Sequence, residues 1–155
     1  MQRLMAIFII FLTGNLQPGM ASANDEKDII AVMHAHIASI NNEESEAIAR
    51  HHLPGHSEFG ATGARLGISG SFEEQRVRNE QIFGSGFKFN WKLENLRVQV
   101  FDNAALVTCY VVGTTTSPEG KVTQINNRRT TMLIKEQGKW KEIHVHNSPL
   151  KNNEE

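Results

Sequence analysis

The sequence predicts an α+β fold, and three observations carry that reading. Apolar residues recur at helical spacing through the first half of the chain. The period changes to strand alternation after Gly84-Ser85-Gly86, and the four β-rich runs that follow are separated by hairpin-turn residues. Helices first and an antiparallel meander second is an α+β order, and 155 residues suit one domain with one core.

The first helix runs from Asp25 to Ile40, with Ile29, Met33, Ile37 and Ile40 on one stripe, and Asn24 is placed to cap it. Asn41-Asn42 breaks the pattern, and Glu43 to His51 reads as a short second helix stopped by Pro54-Gly55. Five glycines between Gly55 and Gly70 mark a loop, with short strands expected at Ser57–Phe59 and Arg65–Ile68. Ser71 and Glu74 form a capping-box pair at the start of a third helix that carries Phe72, Val77, Ile82 and Phe83.

In the strand half, Phe89, Trp91 and Leu93 alternate, and then Leu96, Val98 and Val100 alternate on the opposite parity. A β-bulge near Glu94-Asn95 accounts for the switch. Turns at Asp102-Asn103, Ser117–Gly120 and Glu136–Gly138 separate the remaining strands.

Residues 1–23 read as a signal peptide. Arg3 precedes the apolar block Leu4–Leu12, and Ala21-Ser22-Ala23 supplies the small-residue pattern of a cleavage site. Cleavage before Asn24 leaves a domain over residues 24–150 and a frayed tail over 151–155. It implies a periplasmic or secreted protein with no stable membrane anchor after processing. The formal charge is −1 and the basic residues are scattered, which argues against a nucleic-acid partner. Cys109 is the only cysteine, so no internal disulfide forms, and it reads as a small buried strand residue.

Several polar residues are candidates for a site. His36 lies at the edge of the first helix's apolar stripe and is placed to face a cavity or the core edge. Arg128 and Arg129 are adjacent on a strand, so one faces in and one out, with the register open. Tyr110 is the only tyrosine, a proton donor or a packed aromatic. Strict alternation on the last strand puts Trp140, Glu142, His144 and His146 on one face and Asn147 on the other. His144 and His146 point together, as metal ligands would, but no third ligand stands beside them, so no metal is assigned. His51, His52 and His56 read as loop histidines. Glu58, Glu80, Glu94 and Glu142 show no recognisable His–carboxylate spacing, so the usual machinery of general acid–base catalysis is not visible.

The closing run Gly138-Lys139-Trp140-Lys141-Glu142-Ile143-His144-Val145-His146-Asn147-Ser148 resembles the ending of nuclear transport factor 2-like, or SnoaL-like, proteins. It is most similar to the calcium/calmodulin-dependent protein kinase II association domain and its bacterial relatives. Arg128-Arg129-Thr130-Thr131-Met132-Leu133 resembles that family's arginine-threonine-aliphatic strand. The resemblance implies a cone-shaped bent sheet wrapped on helices, a pocket between them and a homodimer. It implies a small-molecule ligand, with a carboxylate as the candidate class, and no cofactor. Ligand-binding candidates are Arg129, Arg128, His36, Tyr110, His146 and Asn147. The expectation is binding or assembly without catalysis. The alternative is an isomerase, dehydratase or hydrolase using His36 or His146 as base, supported by Arg129 and Tyr110.

Overall fold

The computed structural model describes residues 23–63 and 65–150, so the signal-peptide and tail readings fall outside the described residues. Helix α1 spans Ala23–Asn41, α2 Ser45–His51 and α3 Phe72–Gly84. The strands are β1 His52–Phe59, β2 Gly67–Ile68, β3 Lys88–Phe101, β4 Ala104–Thr116, β5 Val122–Glu136 and β6 Lys139–Pro149. They form one six-stranded sheet in the order β2-β1-β6-β5-β4-β3. Because α1 begins at Ala23, Asn24 lies within the helix and does not cap it. Among the described residues, no helix is long and apolar enough to cross a membrane.

The four-stranded meander β3–β6 forms as expected, and its turns follow the local chemistry. Gln137 and Gly138 both take positive φ (49° and 78°), the conformation of a two-residue hairpin turn with the twist that strands prefer. The expected bulge in β3 is present. Register shifts between Glu94 and Arg97, and Asn95 adopts φ 55°. The capping box also forms, with Ser71 Oγ accepting from Glu74 N and the Glu74 carboxylate accepting from Ser71 N. Beyond the meander, the strand expected at Ser57–Phe59 extends back to His52, and the one expected at Arg65–Ile68 is confined to Gly67–Ile68. Strand β1 pairs parallel with β6, and β2 pairs with it antiparallel.

Helix α1 lies across the concave side of the sheet. Ile29, Met33 and Ile37 pack with Leu93, Val107, Cys109, Val111, Leu133 and Trp140 to form the core. Burying each such aliphatic side chain contributes roughly 1.5–3 kcal/mol before entropy is counted. Asn41 fastens the end of α1 to β3, donating through Nδ2 to Trp91 O (2.8 Å) and accepting at Oδ1 from Trp91 N (2.9 Å). Gly113 has φ 137°, and a Cβ there would lie 2.0 Å from Asn90 O, so β3 and β4 approach closely where only glycine fits.

The last strand departs from strict alternation. Met132 and Leu133 on β5 oppose His144 and Glu142 on β6, which leaves Ile143 as an extra residue. This bulge flips the parity. Trp140 and Glu142 face inward, and beyond it Val145 and Asn147 face inward while His144 and His146 turn to the outer side.

Candidate functional site

A cavity of about 420 Å³ lies between α1, α3 and the concave sheet. Apolar side chains such as Ile40, Phe83, Phe89 and Trp91 line one part, and His36, His52, His56, Arg129 and Asn147 bring polar groups into another. A largely apolar cavity with a few convergent polar groups is the usual form of a small-molecule site.

Its polar part is built on Glu142, which is 0% exposed. His36 Nδ1 lies 2.5 Å from Oε1, and one terminal nitrogen of Arg129 donates to Oε2 at 2.7 Å. Arg129 Nε donates to Thr131 Oγ1 at 3.0 Å, and its other terminal nitrogen makes no hydrogen bond to any described residue. Helix α1 supplies His36, one residue off its apolar stripe. Alternation on β5 turns Arg129 and Thr131 to the same inner face.

The electrostatics follow from this arrangement. Complete burial works to raise the Glu142 carboxyl pKa. The charges of His36 and Arg129, with the His36 hydrogen bond, outweigh burial and hold it well below the usual carboxylate range. An ionised carboxylate opposite Nδ1 keeps a proton on that nitrogen, so whenever His36 is neutral its lone pair is on Nε2.

Three more imidazoles surround the pair. His51 stacks on His36 with centroids 5.2 Å apart, and His52 meets His36 edge-on at 4.9 Å. His52 and His56 stack at 4.1 Å with planes 7° apart. Burial lowers the pKa of His51 to about 4 and of His52 to about 3, and it lowers that of His56 as well. One ligand atom each from His36, His52 and Glu142 lie within 4.8 Å of one another, a grouping absent from the sequence reading. His51, His52 and His56 are not loop histidines: His51 ends α2, and His52 and His56 lie on β1 and line the cavity's polar part.

The candidates from sequence divide into two sets. His36, Arg129 and Asn147 line the cavity, and Asn147 Nδ2 donates to Glu58 Oε1 at 3.3 Å. Arg128, Tyr110 and His146 do not reach it. Arg128 is opposite Tyr110 in the β4–β5 register and shares a groove with it on the outer face, where its guanidinium donates to Pro149 O at 3.5 Å. His146 is exposed and tilts against Phe59 because the bulge at Ile143 reverses its parity. His144 contacts Ser57 Oγ at 2.8 Å on the same outer side, so the His144–His146 pair lies away from the cavity.

The sequence matches the calcium/calmodulin dependent protein kinase II association domain family over residues 25–151. No curated protein matches it significantly. Among solved structures, a protein assigned as a dehydratase of the nuclear transport factor 2-like family from Streptomyces avermitilis is similar. Its TM-score is 0.72 at 16% identity, over 83% of this chain and 99% of that one. A ketosteroid isomerase-like protein from Erwinia carotovora atroseptica has a TM-score of 0.66 at 19% identity, over 81% of this chain and 96% of that one. The association domain of the Caenorhabditis elegans kinase has a TM-score of 0.62 at 20% identity, over 81% of this chain and 95% of that one. These likenesses show a nuclear transport factor 2-like, cystatin-like α+β fold.

Proposed function

Since the chain belongs to the calcium/calmodulin dependent protein kinase II association domain family, we propose that it works through the cavity that this fold encloses, binding a small carboxylate-bearing molecule and moving a proton on it. The observation that carries the reading is the buried His36–Glu142 pair at 2.5 Å, backed by Arg129 and facing a largely apolar cavity. Glu142 fixes the His36 tautomer and stabilises the imidazolium that forms when Nε2 takes a proton. The unused guanidinium nitrogen of Arg129 supplies a charge-assisted hydrogen bond to the ligand's carboxylate or to a developing oxyanion. Proton abstraction beside a carbonyl, and hence isomerisation or dehydration without a cofactor, is the reaction class that these groups serve. Similar folds include a ketosteroid isomerase-like protein and an assigned dehydratase, which supports the class without identifying the substrate.

No His–carboxylate spacing is visible in the sequence, which favours binding over catalysis; the buried His36–Glu142 pair supports proton transfer. Binding or assembly without chemistry is the second reading, favoured by the association-domain family itself. We further propose export after removal of residues 1–23 and pairing of two copies through the outer sheet face, where Met132 is 40% exposed.

A panel of carbonyl-bearing carboxylates incubated in D₂O and followed by proton NMR tests the proposal. Deuterium incorporation beside the carbonyl, lost in His36→Gln, supports it. Binding of panel members with no exchange of any of them supports the second reading and overturns the first.

A further inference from the structure

Histidines and the buried carboxylate converge more closely here than an acid–base pair requires. A tetrahedral ion with bonds near 2.1 Å separates its ligand atoms by about 3.4 Å, so atoms already within 4.8 Å need only small side-chain rotations to meet one. The tautomer of His52 is also fixed for this purpose. Gln75 Nε2 donates to Gly70 O at 3.3 Å, which orients the amide and leaves Gln75 Oε1 facing His52 Nδ1 at 2.9 Å. His52 Nδ1 therefore carries the proton and Nε2 carries the lone pair. A carbonyl behind one ring nitrogen is the arrangement that orients a ligating histidine.

A second observation points to a bound species. His56 lines the same cavity, is only 3% exposed and stacks on His52, yet neither of its ring nitrogens has a hydrogen-bond partner among the described residues. A buried imidazole left unpaired on both sides is costly, and the group that relieves it has to come from outside the protein's own bonds.

We propose that His36, His52 and Glu142 form a binding site for a divalent first-row transition ion such as zinc. Two imidazoles and a carboxylate are a donor set suited to such an ion, and three protein ligands leave a position open toward the cavity. Arg129 keeps its bond to the other oxygen of Glu142, so the ion shares that carboxylate with a cation. An anion in the open position, hydroxide or the ligand's own carboxylate, offsets the excess charge. The site competes with the proton-transfer role of the His36–Glu142 pair, and the two readings stand or fall on separate measurements.

Untagged protein freed of metal with EDTA and titrated with Co²⁺ under visible spectroscopy, then with Zn²⁺ against a chromophoric chelator, tests the site. One equivalent with the intense d–d bands of four-coordinate cobalt is expected. His52→Ala loses at least about tenfold in Zn²⁺ affinity. Gln75→Leu keeps every ligand but frees the His52 ring, and it loses about 10–100-fold, as outer-shell changes do. The double variant His144→Ala/His146→Ala, on the outer face, changes nothing. Absence of four-coordinate bands, or affinity lost in the outer-face variant and kept in His52→Ala, overturns the proposal. Circular dichroism confirms that each variant is folded before its affinity is compared.

Discussion

His36 Nδ1 and Glu142 Oε1 face each other across 2.5 Å, one on α1 and the other on β6, 106 positions apart in the chain. Neither side chain is open to bulk solvent, at 4% and 0% exposure. The carboxylate is therefore held by partners and not by water, and its other oxygen depends on Arg129.

Removing that carboxylate charge is expected to unsettle the fold. Glu142→Gln leaves the Arg129 guanidinium buried without its counter-charge, which costs about 3–5 kcal/mol. Urea denaturation measures it. A loss below about 1 kcal/mol would mean that Arg129 finds water or another acceptor.

Acid should destabilise the metal-free protein earlier than carboxylate protonation does. Burial, then the charge of His36, depresses His52 from 6.5 unfolded to about 3 folded, so the unfolded chain binds more protons between those values. Stability is full above pH 6.5 and falls as pH drops below it. His52 contributes up to about 1.4 kcal/mol of loss per pH unit in that window. Urea midpoints at pH 7.5 and 5.5 in EDTA check this, and the difference should shrink in His52→Gln. Equal midpoints at both pH values would contradict it.

Cys109 should resist alkylation while the protein is folded. Burial pushes its thiol up to about 11, so little thiolate exists near pH 8, and the side chain sits in the core beneath α1. Iodoacetamide labelling followed by mass should proceed only in denaturant; rapid labelling of native protein would place the thiol at the surface.

The two neighbouring arginines separate a cavity role from a surface role. Arg129→Ala is expected to weaken carboxylate binding by about 1.5–3 kcal/mol, the scale of a hydrogen bond to a charged group. Arg128→Ala, on the outer groove, should change it little. Calorimetric titration decides between them, and the reverse ranking would put the anion site on the outer face.

Sequence revealed local features well and missed those that depend on distant partners. The capping box at Ser71 and Glu74 and the bulge in β3 were legible, because a cap needs only four residues and the bulge shifts apolar parity from Leu93 to Leu96. The bulge at Ile143 left no such mark. Trp140, Glu142, His144 and His146 keep a perfect two-residue rhythm, so alternation put all four on one face, and only the pairing with β5 reveals the slip. The second half of β1, Ser57–Phe59, was legible, but its start at His52 was hidden by Pro54 and Gly55, which read as a helix stop and a loop until β6 is seen to pair beside them. The His36–Glu142 pairing was invisible for a related reason. A carboxylate joined to a histidine 106 positions away has no spacing to recognise, and only the packing of α1 on the sheet brings the two together.

The most direct test of the central claim compares His36→Gln with the unaltered protein, using a carboxylate that both bind. Deuterium-exchange rate and dissociation constant are measured on the same samples. If His36 is the base, exchange falls by about 10²–10⁴-fold, the usual share of general base catalysis, while the dissociation constant changes only a few-fold. An unchanged exchange rate, or a loss of binding that accounts for the whole loss of exchange, would contradict proton transfer at the His36–Glu142 pair.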